Sequence, residues 1–86
     1  MKTVVIYKDA SEYGRVVTDY IRDFYHQTGK QLDVIDPDTK EGSDLCQTYD
    51  IVEYPTLLAT DDNGTMQNMW TGLPLPLISE VSYYVD

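Results

Sequence analysis

Cysteine is all but missing from this chain. Cys46 is the single one among 86 residues. One thiol closes no internal disulfide, which excludes the disulfide-stapled frameworks of small secreted domains. Basic residues are scarce as well. Six Lys and Arg face fifteen Asp and Glu, for a net charge of -9. Such a field repels phosphate backbones and anionic lipid, and no basic cluster offsets it. Nucleic acid and membrane surfaces are therefore discounted as partners, and the acid excess serves first to keep a small domain soluble. A single histidine, His26, and no cysteine pair leave no nitrogen–sulfur ligand set for a metal. The acidic pairs Asp36, Asp38 and Asp61, Asp62 lack the spacing of a calcium loop and suit turns. There is no phosphate loop, no dinucleotide glycine fingerprint and no credible Ser-His-Asp set. No cofactor and no metal is expected. No apolar run approaches a membrane span. Residues 1–7 are apolar for too short a stretch to be a signal peptide, and no cleavage-like site follows, so a reducing cytoplasm is the expected setting.

What is present reads as one globular domain over residues 1–86, with 42% hydrophobic and 24% charged residues. Residues 3–8 are β-branched, aromatic and nearly continuously apolar, which suits a strand buried on both faces. Asp9, Ala10 and Ser11 turn the chain. Ser11 is the expected N-cap of a helix running to Thr28. Val16, Val17, Tyr20, Ile21, Phe24 and Tyr25 recur at helical spacing as one apolar stripe. Gly29 fits the left-handed cap position.

Residues 31–36 read as a second strand, ended by Pro37. Residues 38–43 read as polar loop, and residues 44–49 as a short helix burying Leu45. Residues 56–60 form a third strand. Asn63-Gly64 favours a tight hairpin turn into a fourth strand at residues 65–70. Pro76 is placed to open a last helix, with Leu77, Ile78, Val81, Tyr84 and Val85 on its buried side. The order is β-α-β-α-β-β-α. Two strands joined by a helix imply a right-handed parallel crossover, and the hairpin adds an antiparallel pair. The expected class is α/β, a mixed four-stranded sheet with helices on both faces.

The run Tyr49-Asp50-Ile51-Val52-Glu53-Tyr54-Pro55-Thr56-Leu57-Leu58 resembles the helix-to-strand passage of thioredoxins. There, a Tyr-Gly-Ile-x-x-x-Pro-Thr run carries a cis-proline beside a redox dithiol. The step from Asn63 to Gly72 resembles the thioredoxin hairpin and the glycine before the last helix. With Val4-Val5-Ile6-Tyr7, a short turn and a long helix, the resemblance spans nearly the whole chain. It implies a thioredoxin-like fold of glutaredoxin-like size, with a cis bond before Pro55. It also implies a dithiol just after the first strand, where glutaredoxin-like sites read Cys-Pro-Tyr-Cys. This chain has Ser11, Glu12, Tyr13 and Gly14 there, so the attacking and resolving thiols are both gone. Thioredoxins resemble one another in a buried acid that relays protons. Val5 stands at that position. A serine hydroxyl carries no electrons, so dithiol exchange is not expected.

The resulting expectation is a redox-inactive domain that binds a protein or peptide segment. Tyr13, Tyr54 and the backbone beside Pro55 would form the groove, since tyrosine offers large contact area at low entropy cost. An enzyme reading stands beside it: thiol-linked activity through Cys46, or glutathione chemistry at Ser11, a position where glutathione-transferase domains of this fold can use serine. Cys46 is placed in the short helix, away from Ser11, with core packing as its expected role. A third reading is self-association through an edge strand or through Tyr83 and Tyr84.

Overall fold

The computed structural model describes residues 1–85. Its elements are strand β1 (Lys2–Ile6), helix α1 (Gly14–Thr28), strand β2 (Asp33–Ile35), helix α2 (Lys40–Tyr49), strands β3 (Thr56–Thr60) and β4 (Met66–Thr71), and helix α3 (Ile78–Ser82). The sheet order is β2-β1-β3-β4. β1 pairs with β2 in parallel and with β3 antiparallel, and β3 pairs with β4 antiparallel. The element order and the mixed four-stranded sheet agree with the sequence reading.

Strand β1 is central, and its side chains divide between two cores because successive residues point to opposite faces. Val5 and the following Tyr7 join Val17, Phe24, Leu57, Val81 and Val85, the layer covered by α1 and α3. Val4 and Ile6 join Cys46, Ile51 and Leu58, the layer covered by α2. Phe24 is fully buried, and truncating such a ring to alanine costs about 3–5 kcal/mol.

Several local expectations are corrected. Helix α1 starts at Gly14, and its N-cap is Tyr13 rather than Ser11, with no side-chain cap bond. The Ser11 hydroxyl turns back instead and donates to the Lys8 carbonyl. Val16 and Tyr25 lie half exposed, at 50% and 52%. The buried line of α1 is Val17 and Phe24, with Tyr20 and Ile21 beside it. The seven-residue step from 17 to 24 is two turns, so 16 and 25 fall on the flanks.

Helix α2 begins inside the segment read as polar loop. Thr39 caps it by accepting from the Gly42 N–H at 3.0 Å. Gly42 is no breaker here, because a Cβ at that position would lie 2.0 Å from the Asp36 carbonyl oxygen. The missing side chain lets the helix sit against the preceding turn. Helix α3 begins at Ile78, with Leu77 as its N-cap, so Pro76 lies just outside it.

The hairpin turn is wider than the two-residue type. Gly64 N–H donates to the Asp61 carbonyl, Asp61 N–H donates to the Thr65 carbonyl, and Gly64 has φ of 82°. This is a three-residue loop closed by a left-handed glycine. The Asp61 carboxylate accepts from the Asn63 and Thr65 N–H groups, each at 2.9 Å. Among the described residues, no helix is long and apolar enough to cross a membrane.

Candidate functional site

Three segments meet at one end of the sheet. Ile6, near the end of β1, is paired with Thr56, the first residue of β3, and Thr56 is paired with Thr71, the last of β4. The turn leading to α1, the residues before β3 and the residues after β4 therefore converge. The Tyr54–Pro55 bond is cis, as is Leu73–Pro74. The Gly72 N–H donates to the Pro55 carbonyl at 2.8 Å. Gly72 has φ of 72°, and a Cβ there would lie 3.1 Å from a Glu53 carboxylate oxygen.

Ser11, Glu12, Tyr13 and Gly14 occupy the turn before α1. Ser11 is committed to Lys8 through both its hydroxyl and its N–H, the latter at 3.1 Å. Glu12 is exposed, whereas Tyr13 is half buried against the α1 and α3 core. Gly14 is buried, and a Cβ there would meet the Asp9 carbonyl oxygen at 2.1 Å. The backbone before α1 thus passes so close to the helix start that only glycine fits without a shift.

Tyr54 is half buried and packs on the α2 core. Its hydroxyl donates to the Cys46 sulfur at 3.8 Å. Lys8 Nζ lies 5.9 Å from the Tyr54 ring centre and 3.4 Å from an Asp38 carboxylate oxygen. The Tyr54 hydroxyl titrates above the usual phenol range. The hydrogen bond to Cys46 is the largest cause, followed by desolvation and by the negative charges of Cys46, Asp38 and Tyr13. Tyr13 is therefore within electrostatic reach of Tyr54, although their rings pack on different layers.

The placement of Cys46 agrees with the sequence reading and adds a contact to it. It does sit in α2 and is buried. It is not remote from the candidate site, however, because it lies beneath the tyrosine that precedes Pro55. A ten-residue helix ending at Tyr49, followed by a short return to Pro55, brings residues 46 and 54 together, a closure that local periodicity does not report. The site is open rather than enclosed, and no pocket forms among the described residues. No cluster of three or more His, Cys, Asp or Glu suited to a metal ion occurs among them either.

Comparison with known proteins bears on the fold. No family model matches the chain, and no curated protein does. Eight solved chains match. One is thioredoxin 1 from the thermophilic eubacterium Thermosipho africanus TCF52B. It is 18% identical, with a TM-score of 0.66, over 98% of this chain and 89% of that one. The likeness covers nearly the whole chain, and the chain has the thioredoxin-like fold.

Proposed function

We propose that this domain is a redox-inactive binding module that takes a protein or peptide segment on the surface around Tyr13, Tyr54 and Pro55. One observation carries the reading: the turn before α1 holds Ser11 and Gly14, and the chain's one thiol is buried under Tyr54. Exchange of a disulfide needs an accessible thiolate and a second thiol to release the mixed disulfide. The proposed surface offers neither. It offers two half-buried tyrosines, whose rings give rigid contact area with a polar end. Glutathione chemistry at Ser11 is disfavoured because its hydroxyl and N–H are both directed to Lys8. The setting is the cytoplasm, where a lone thiol stays reduced.

Selection from a displayed peptide library tests the reading. Peptides chosen by the wild-type domain are expected to lose binding to the Tyr13→Ala, Tyr54→Ala double variant, with its far-UV circular dichroism retained. Peptides that bind both proteins equally would place recognition elsewhere. Failure to select any peptide would remove the binding reading.

A further inference from the structure

Residues 63–79 contain no Asp, Glu, Lys or Arg, in a chain of net charge -9. The next longest such run is residues 54–60. The long run supplies all of β4 and the loop after it. β4 is also an outermost strand, with β3 on one side and no strand on the other. The Gly72 N–H points inward to Pro55, so by alternation the backbone groups of Met69 and Thr71 point outward.

The two sheet edges are guarded differently. β2 is three residues long and contains Asp33, which is 3.7 Å from Lys2. Short length and charge are the usual protections of an exposed edge. β4 has six residues, no charge and no proline. A register shift at Ala59/Thr60 affects its beginning. Asn68 Oδ1 accepts from the outward Met69 N–H at 2.8 Å, a local and displaceable cap. The nearest acids by sequence lie at its margins: Asp62 is 3.7 Å from the N-terminal amine, Asp61 accepts from turn amides and from Gln67 Nε2 at 3.3 Å, and Glu80 accepts from Trp70 Nε1 at 3.0 Å. Met66, Leu73 and Leu77, all in this run, are 49%, 53% and 72% exposed.

We infer that β4 is a self-association edge, on which a second copy of this chain pairs β4 to β4, antiparallel, about a two-fold axis. Charge selects this occupant. Like charges set opposite one another across an interface are unfavourable, so two chains of -9 meet best along a strand that carries no charged side chain of its own. β4 offers no side-chain charge to attract a basic partner. An antiparallel edge is also its own complement under two-fold rotation, because each outward N–H and C=O meets its counterpart. On pairing, the Met69 N–H exchanges the Asn68 oxygen for a carbonyl of the second copy. The edge is short, so the association is weak and reversible. It does not rest on the Tyr13 and Tyr54 reading.

Sedimentation equilibrium from micromolar to millimolar protein, in low and high salt, tests the inference. The mass is expected to rise from 9.9 kDa toward twice that value with concentration. It should rise more in high salt, where repulsion between the acidic chains is screened. Amide exchange at Met69 and Thr71 should slow as concentration increases. Gln67→Lys with Thr71→Lys, both at exposed positions, should abolish the association with circular dichroism unchanged. If that variant fails to fold, Met66→Glu is measured in its place with the same expectation. A mass of 9.9 kDa under all conditions would overturn the inference. So would association that weakens with salt, or association that survives the edge charges.

Discussion

The Tyr54 hydroxyl lies 3.8 Å from the Cys46 sulfur, joining the residue before Pro55 to the middle of α2. The ring closes over the chain's one thiol. Cys46 is therefore expected to react slowly with a maleimide in the folded protein. Tyr54→Ala should accelerate labelling several-fold by uncovering the sulfur, and Tyr54→Phe should change it little, because the ring remains. Labelling of the wild type at the rate of the urea-unfolded chain would show that the ring is no cover.

The same burial bears on redox assays. With dithiothreitol present, insulin precipitation should match the protein-free control, since no second cysteine exists to release a mixed disulfide. A clear excess rate that disappears in Cys46→Ser would replace the binding reading with a monothiol enzyme.

Gly14 and Gly42 make the sharpest stability predictions. A methyl group at either would lie about 2 Å from a backbone carbonyl oxygen, of Asp9 or Asp36. Each glycine-to-alanine change should destabilise the domain by roughly 1–3 kcal/mol, measured by urea denaturation. Gly14→Cys carries the same added Cβ, so restoring Cys-x-x-Cys at residues 11 and 14 should weaken the fold before it provides a disulfide.

Tyr20 has a buried hydroxyl with no hydrogen-bond partner. Its pKa is pushed up from 10.0 to about 12, by desolvation first and by the Glu80 charge second. The sign follows from the neutral form being favoured in the fold. The stabilisation is complete below pH 10 and is lost as pH rises through about 12. Tyr20→Phe should flatten the fall in thermal midpoint over that window. At neutral pH it should be neutral or stabilising by up to about 1 kcal/mol, because it removes an unsatisfied polar atom.

Thr39 and Ser11 form a contrasting pair. Thr39→Ala removes the side-chain cap of α2 and should cost about 1 kcal/mol. Ser11→Ala removes a bond to Lys8 in a turn, and should leave the helicity of α1 unchanged by circular dichroism.

The fold was legible in the sequence where patterns are local and repeated. The apolar run of β1, the stripe through Val17 and Phe24, and the hairpin at Gly64 each report their element. Boundaries were less legible where a backbone contact decides. Residues 38–43 read as polar loop until the Asp36 carbonyl is seen against Gly42, and Ser11 reads as a cap until its hydroxyl is seen on Lys8. The pairing of Tyr54 with Cys46 was not legible at all. It arises from how α2 and its return segment close on each other, and no spacing rule encodes that closure.

Strand β1 also has a temporal consequence. Its Thr3 hydroxyl donates to the Tyr84 carbonyl, 81 positions later, and Lys30 Nζ reaches the Val85 carbonyl at 2.8 Å. Thr3 is thus completed by a residue made 81 positions after it. At a synthesis rate of roughly 5–20 residues per second, Thr3 waits on the order of ten seconds for that partner. Its neighbour β3 also comes late, since Lys2 pairs with Thr60. For most of that interval β1, a largely apolar strand, has neither its antiparallel neighbour nor its final cover. Nascent-chain helpers that shield such strands should therefore bind residues 3–7 during translation and leave once residues 84 and 85 emerge.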